Sequence, residues 1–91
     1  MNKKNERIAR QVVSGWSHRY FNDFILNKEA RGSNWKIENC AKHGAEWLDA
    51  SIHVYFTEGV WKKQGKEIRE FVYNFVIETI NYFIKNHENK E

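Results

Sequence analysis

Four histidines, one cysteine and twelve acidic side chains are the groups of this 91-residue chain that could ligate a metal ion or move a proton. Their spacing is poor for either task. His18, His43, His53 and His87 include no pair at metal-ligand spacing, and the single Cys40 cannot build a structural zinc site. Asp49 and His53 are four residues apart, which along a strand is about 13 Å at ~3.3 Å per residue, too far for one ion. Glu38 and Asp49 become a carboxylate pair only if they face one another across a hairpin, and Lys36 nearby would hold both ionised. Cys40 has no base in view to make it a nucleophile. The five glycines are isolated, so no loop is built to cradle phosphate. These residues predict a protein that is not an enzyme, with no catalytic residue, no metal site and no cofactor.

Side chains suited to recognition are more prominent. Six Phe, four Tyr and four Trp give large contact areas at low entropic cost, which also suits a chain with room for one small domain. On a 100° wheel, Arg7, Arg10, Ser14, His18, Phe21 and Ile25 fall opposite an apolar stripe of Ile8, Val12, Val13, Trp16, Tyr20 and Phe24. Phe21 and Ile25 do not belong on a solvated face. The segment is therefore expected to be a helix over residues 5–29 whose outward side meets a partner.

Residues 34–41 and 46–56 read as two strands joined by a tight turn at His43-Gly44. In that register Trp35, Ile37, Leu48, Ala50, Ile52, Val54 and Phe56 share one face, and Trp47, His53 and Tyr55 share the other with Lys36, Glu38, Cys40, Asp49 and Ser51. Rings on an open sheet face stack bases or anchor a protein partner. A second turn at Glu58-Gly59 would precede a short third strand at 60–62. Residues 66–87 form the strongest helix, with one apolar stripe of Ile68, Phe71, Val72, Phe75, Thr79, Tyr82 and Phe83. A second stripe of Tyr73, Ile77, Ile80 and Ile84 meets the first helix or forms the seam of a homodimer. The expected fold is α+β, a single domain over 1–91 in the order α-β-β-(β)-α, with an antiparallel hairpin sheet packed on one face by two helices.

The formal net charge of +3 is uneven. Residues 1–31 carry seven Lys/Arg against three acids, whereas residues 66–91 carry four against five. A modest positive end favours anionic partners but is far from the dense basic stripe of a dedicated DNA binder. One cysteine, no apolar leader in "MNKKNERIARQ" and no apolar run near ~20 residues predict a soluble protein of the reducing cytoplasm.

Residues 48–66, "LDASIHVYFTEGVWKKQGK", resemble the second half of a double-stranded RNA-binding domain. Leu48, Ala50, Ile52, Val54 and Phe56 match that family's second strand, and Lys62, Lys63 and Lys66 of "KKQGK" match the KKxAK element that opens its last helix. The resemblance implies phosphate contacts by these lysines, with Trp61 beside them. In size, composition and element order the chain is also similar to small phage-encoded inhibitors, including anti-CRISPR proteins. That likeness implies a non-enzymatic inhibitor of phage or mobile-element type. It would dock on a host protein or nucleoprotein complex, such as a CRISPR nuclease, and block it sterically; the likeness transfers no site residue, and the helix wheel and outer sheet face place the docking surface at Arg7, Arg10, His18, Phe21, Ile25, Trp47, His53 and Tyr55. The alternatives are a module that binds duplex RNA or other nucleic acid through Trp61, Lys62, Lys63 and Lys66, and a homodimer joined along Tyr73, Ile77, Ile80 and Ile84.

Overall fold

The computed structural model describes residues 1–27 and 36–89. Over these residues the chain is helical and contains no strand. Helix α1 spans Lys3–Tyr20 and passes directly into a single π turn, Phe21–Ile25. Helix α2 spans Ile37–Asp49, a 3-10 turn covers Ile52–Tyr55, and helix α3 spans Glu58–Asn89.

The expected α+β order is overturned. The supposed hairpin is occupied by α2 and the 3-10 turn, and its first positions, 34–35, lie outside the described residues, as do the final positions of the helix expected over 5–29. The physical reason lies in residue size. Cys40, Ala41, Gly44, Ala45 and Leu48 form the inner stripe of α2 at helical spacing, but four of the five are small and give a weak apolar signal. Alanine, glutamate, lysine and leucine are also strong helix formers, and they dominate residues 41–48. Gly44 is a packing glycine inside the helix rather than a turn residue. A Cβ there would stand 2.8 Å from Ile80 Cδ1 and 3.0 Å from Tyr20 Cε1. The apparent in/out alternation of 48–56 is divided between the end of α2, where the Ser51 amide and hydroxyl both donate to the Leu48 carbonyl, and the 3-10 turn.

Local chemistry explains where the helices begin. The Asn2 side chain caps α1 by accepting from the Asn5 amide at 2.8 Å. Thr57 caps α3 in the same way, its hydroxyl accepting from the Val60 amide at 3.3 Å, with Glu58 favourably placed in the positive first turn. The segment expected to hold a second turn and a third strand is therefore the first two turns of α3, and "KKQGK" lies inside a helix rather than at its start.

Helix α3 is the spine of the molecule. At ~1.5 Å per residue its 32 residues extend roughly 48 Å, enough to span the 44 Å long axis alone. Ile68, Val72, Val76 and Ile80 lie along its centre line and are fully buried. Helix α1 runs parallel to it: Asn5 Nδ2 donates to Gln64 Oε1 at 3.1 Å near one end, and the rings of Phe21 and His87 meet at 5.9 Å near the other. Helix α2 runs antiparallel, with Gly44 facing Ile80 and Asp49 bonded to Arg69. The inner stripe of α1 is Asn5, Ala9, Val13, Ser17, Tyr20, Phe21 and Ile25. It lies between the two faces expected from the wheel. Small Ala9 and Ser17 let α1 approach its neighbours, while Ile8, Val12 and Trp16 sit half-buried at the edges.

Candidate functional site

Trp16, Tyr20 and Phe24 stand one above another along α1 and the π turn, as residues four apart do on a helix face. Trp16 and Tyr20 stack at 5.0 Å with an 11° tilt, and Tyr20 and Phe24 at 5.1 Å with a 20° tilt. Trp47 of α2 is nearly perpendicular to all three, its ring centre 6.3, 6.1 and 6.3 Å from theirs, so the column lies on an arc about the indole. His43, one turn before Trp47, closes the group at 5.4 Å from Phe24 and 5.6 Å from Trp47.

Tyr20 is the pin of this assembly. Its hydroxyl donates to the Cys40 carbonyl at 3.1 Å and lies 2.7 Å from His43 Nδ1. The 2.7 Å contact holds the imidazole against the phenol. Burial, reinforced by the neighbouring Cys40, pushes the phenol well above its ordinary value, so it stays neutral. Gly44 supplies the space against which the Tyr20 ring lies. The rings of the cluster are thus held before any partner arrives, yet Trp47 is 55% exposed. Phe24, His43, Glu46 and Trp47 line an open depression of ≈ 530 Å³. Glu46 is exposed at its rim and makes no ion pair among the described residues; Lys42, one turn earlier, does not reach it.

A second depression, ≈ 490 Å³, lies where the end of α2 meets α3 and is lined by Asp49, Trp61, Gly65, Lys66, Arg69 and Tyr73 among others. Arg69 donates to both Asp49 oxygens, at 3.0 and 2.8 Å. These bonds hold the Asp49 carboxyl below its ordinary value and raise Arg69. The charges there are already matched to one another. The Trp61 indole lies over Gly65, where a Cβ would stand 3.2 Å from the ring.

The expected partner-binding residues do not form one surface. Phe21 and Ile25 are 8% and 1% exposed and belong to the core. Phe21 continues the Ala9, Val13, Ser17 stripe of α1 at a spacing of four and packs onto Phe83 and His87, and the π turn, with more residues per turn than an α-helix, keeps Ile25 on that same side. Arg7 is exposed. Arg10 lies over Phe71 and Phe75, at 5.4 and 5.1 Å from the ring centres, and donates to Glu6 through two nitrogens at 3.0 and 3.1 Å. His18 meets the Phe83 ring edge at 6.0 Å. Trp47, His53 and Tyr55 share no sheet face. His53 lies 6.2 Å from Trp61, and Tyr55 is exposed on the 3-10 turn. Among the lysines expected to contact phosphate, Lys62 pairs with Glu58 at 3.4 Å, while Lys63 and Lys66 are exposed and make no ion pair among the described residues. In the expected dimer seam, Ile80 is fully buried within the single chain and Tyr73, Ile77 and Ile84 pack half-buried against the same core. The depression beside Trp47 escaped the sequence reading because His43, Glu46 and Trp47 share a face only if the segment is helical.

Among the described residues no group of three His, Cys, Asp or Glu is placed to hold a metal ion, and no helix is long and apolar enough to cross a membrane. The chain matches no protein-family model, no curated protein and no solved structure. With no family match and no strand among the described residues, the likenesses to the double-stranded RNA-binding domain and to the α-β-β-α anti-CRISPR proteins fall away.

Proposed function

We propose that this chain is a non-enzymatic docking module that recognises a protein partner through the ring cluster centred on Trp47. One observation carries the reading: a half-exposed tryptophan is held in place by three stacked rings and a fixed imidazole. Buried aromatic anchors supply most of the energy of protein interfaces, and an anchor ordered beforehand loses little rotamer entropy on binding. A small module of this kind acts by occupancy, covering the partner surface on which it sits.

The test compares the wild-type chain with Trp47→Asp as baits in cell lysate, with and without nuclease, after circular dichroism shows that both are helical. The reading expects a protein that survives nuclease treatment and is lost by the variant. Retention of the same protein by Trp47→Asp would remove Trp47 as the anchor.

A second reading is binding of a nucleic-acid backbone. The Asn5–Gln64 hydrogen bond brings the first turn of α1 beside the second turn of α3, so Lys3, Lys4, Arg7, Lys63 and Lys66 collect toward one end of the molecule. Glu6, Glu58 and Glu67 are interspersed among them, which dilutes the field. This reading requires affinity that falls with salt at about 0.9 logarithmic units per phosphate contacted. The absence of a duplex shift at low salt would eliminate it.

A further inference from the structure

We infer that the depression lined by Phe24, His43, Glu46 and Trp47 receives an arginine side chain of the protein partner. The inference rests on the docking function proposed above and specifies its chemistry.

The described residues show the complete form of this recognition within the molecule itself. Arg10 places its guanidinium over the Phe71 and Phe75 rings while Glu6 accepts from two of its nitrogens. Rings supply a negative face, one carboxylate oxygen accepts from two guanidinium nitrogens, and the cation joins them. Among the described residues, the Trp47 depression has the rings and the carboxylate without the cation. Trp47 is the strongest ring for cation–π attraction and is half open, and Glu46 stands beside it without an ion pair among the described residues.

Shape selects among cations. A quaternary ammonium group needs ring faces spread apart to enclose it. Here the rings of Phe24, His43 and Trp47 pack on one another at 5.4–6.3 Å and leave a shallow opening rather than a cage. A planar guanidinium lies flat on an open ring and uses a carboxylate through two parallel bonds, which a lysine ammonium cannot do.

The test uses the full chain labelled for NMR, with the Trp47 indole N–H as reporter. Three short blocked peptides, identical except for arginine, citrulline or leucine at the centre, are titrated to millimolar concentration. Citrulline keeps the planar group and removes the charge. The expected result is a saturable shift with the arginine peptide, at least about tenfold weaker binding of the citrulline peptide, and a three- to tenfold loss for arginine in Glu46→Gln. Glu46 is exposed, so that variant leaves the fold unchanged. Equal binding of the arginine and citrulline peptides, or unchanged affinity in Glu46→Gln, would overturn the inference. A shift caused by the leucine peptide alone would overturn the choice of arginine and leave the docking function standing. No shift with any of the three would defeat both.

Discussion

Ser17 places a hydroxyl on the inner stripe of α1, fully buried and with no hydrogen-bond partner. An unsatisfied buried polar group costs free energy, and alanine is the better helix former, so both effects act in one direction. Ser17→Ala should stabilise the protein by about 1–2 kcal/mol, seen as a higher midpoint in thermal melts. Asp49 makes the opposite kind of contribution. Its two bonds from Arg69 hold its carboxyl below the ordinary value of 3.8 in the folded chain, so the pairing stabilises the fold above that value and is lost as pH falls through the lowered one. The melting temperature of wild type should exceed that of Asp49→Asn near neutrality, and the difference should shrink as pH is lowered into the acid range. A difference independent of pH would show that the ion pair contributes nothing. Arg69 is exposed and Asp49 partly so, and solvent screens the pair, so the effect at neutrality is small.

The π turn at Phe21–Ile25 decides which side chains of the first helical segment belong to the core. Phe21→Ala should cost about 3–5 kcal/mol and Ile25→Ala about 2–5 kcal/mol, whereas Arg7→Ala should stay within about 0.5 kcal/mol. Urea titrations followed by circular dichroism check all three, and a small cost at Phe21 would return that residue to the surface. Sequence periodicity assumes 3.6 residues per turn, so the wheel that put Ile25 outside could not register a wider turn, and it missed Phe21 because the small Ala9 and Ser17 of its stripe give little apolar signal. Residues 66–87 were legible because large apolar side chains recur there at helical spacing, although the true start lies eight residues earlier at Glu58, announced by Thr57 as a cap. Helix α2 was illegible because its contacts are made by Ala, Cys and Gly, and β-branched residues just after it imitate a strand. Trp47 was recognised as an outward ring from its type and position, but its neighbours Glu46 and His43 depend on the helical geometry that was missed.

Across the whole molecule, each shorter helix packs chiefly on α3, and Ile68, Val72, Val76 and Ile80 supply the centre of the hydrophobic cluster formed by the described residues. A chain ending at residue 60 lacks all four. Fully burying each such side chain is worth about 1.5–3 kcal/mol, so that fragment should be largely unfolded, with weak helical dichroism and rapid amide exchange. Persistent protection in α1 of the fragment would show that α1 and α2 form a core of their own. The parallel arrangement of α1 and α3 also gives the molecule an electrical direction. Two positive helix ends and most of the lysines expected to meet phosphate lie at one end, while the Trp47 cluster lies further along, beside the second half of α1.

The contact between α1 and the far half of α3 joins residues such as His18 and Phe83, separated by most of the chain. During translation the first helix leaves the ribosome long before its binding surface has been made. Ala9, Val13 and Phe21 must wait in the open until the closing residues are polymerised. The first helix therefore finds its seat only once α3 has been made, and a ribosome that stalls within α3 presents the cell's quality-control machinery with a helix whose apolar face is still uncovered.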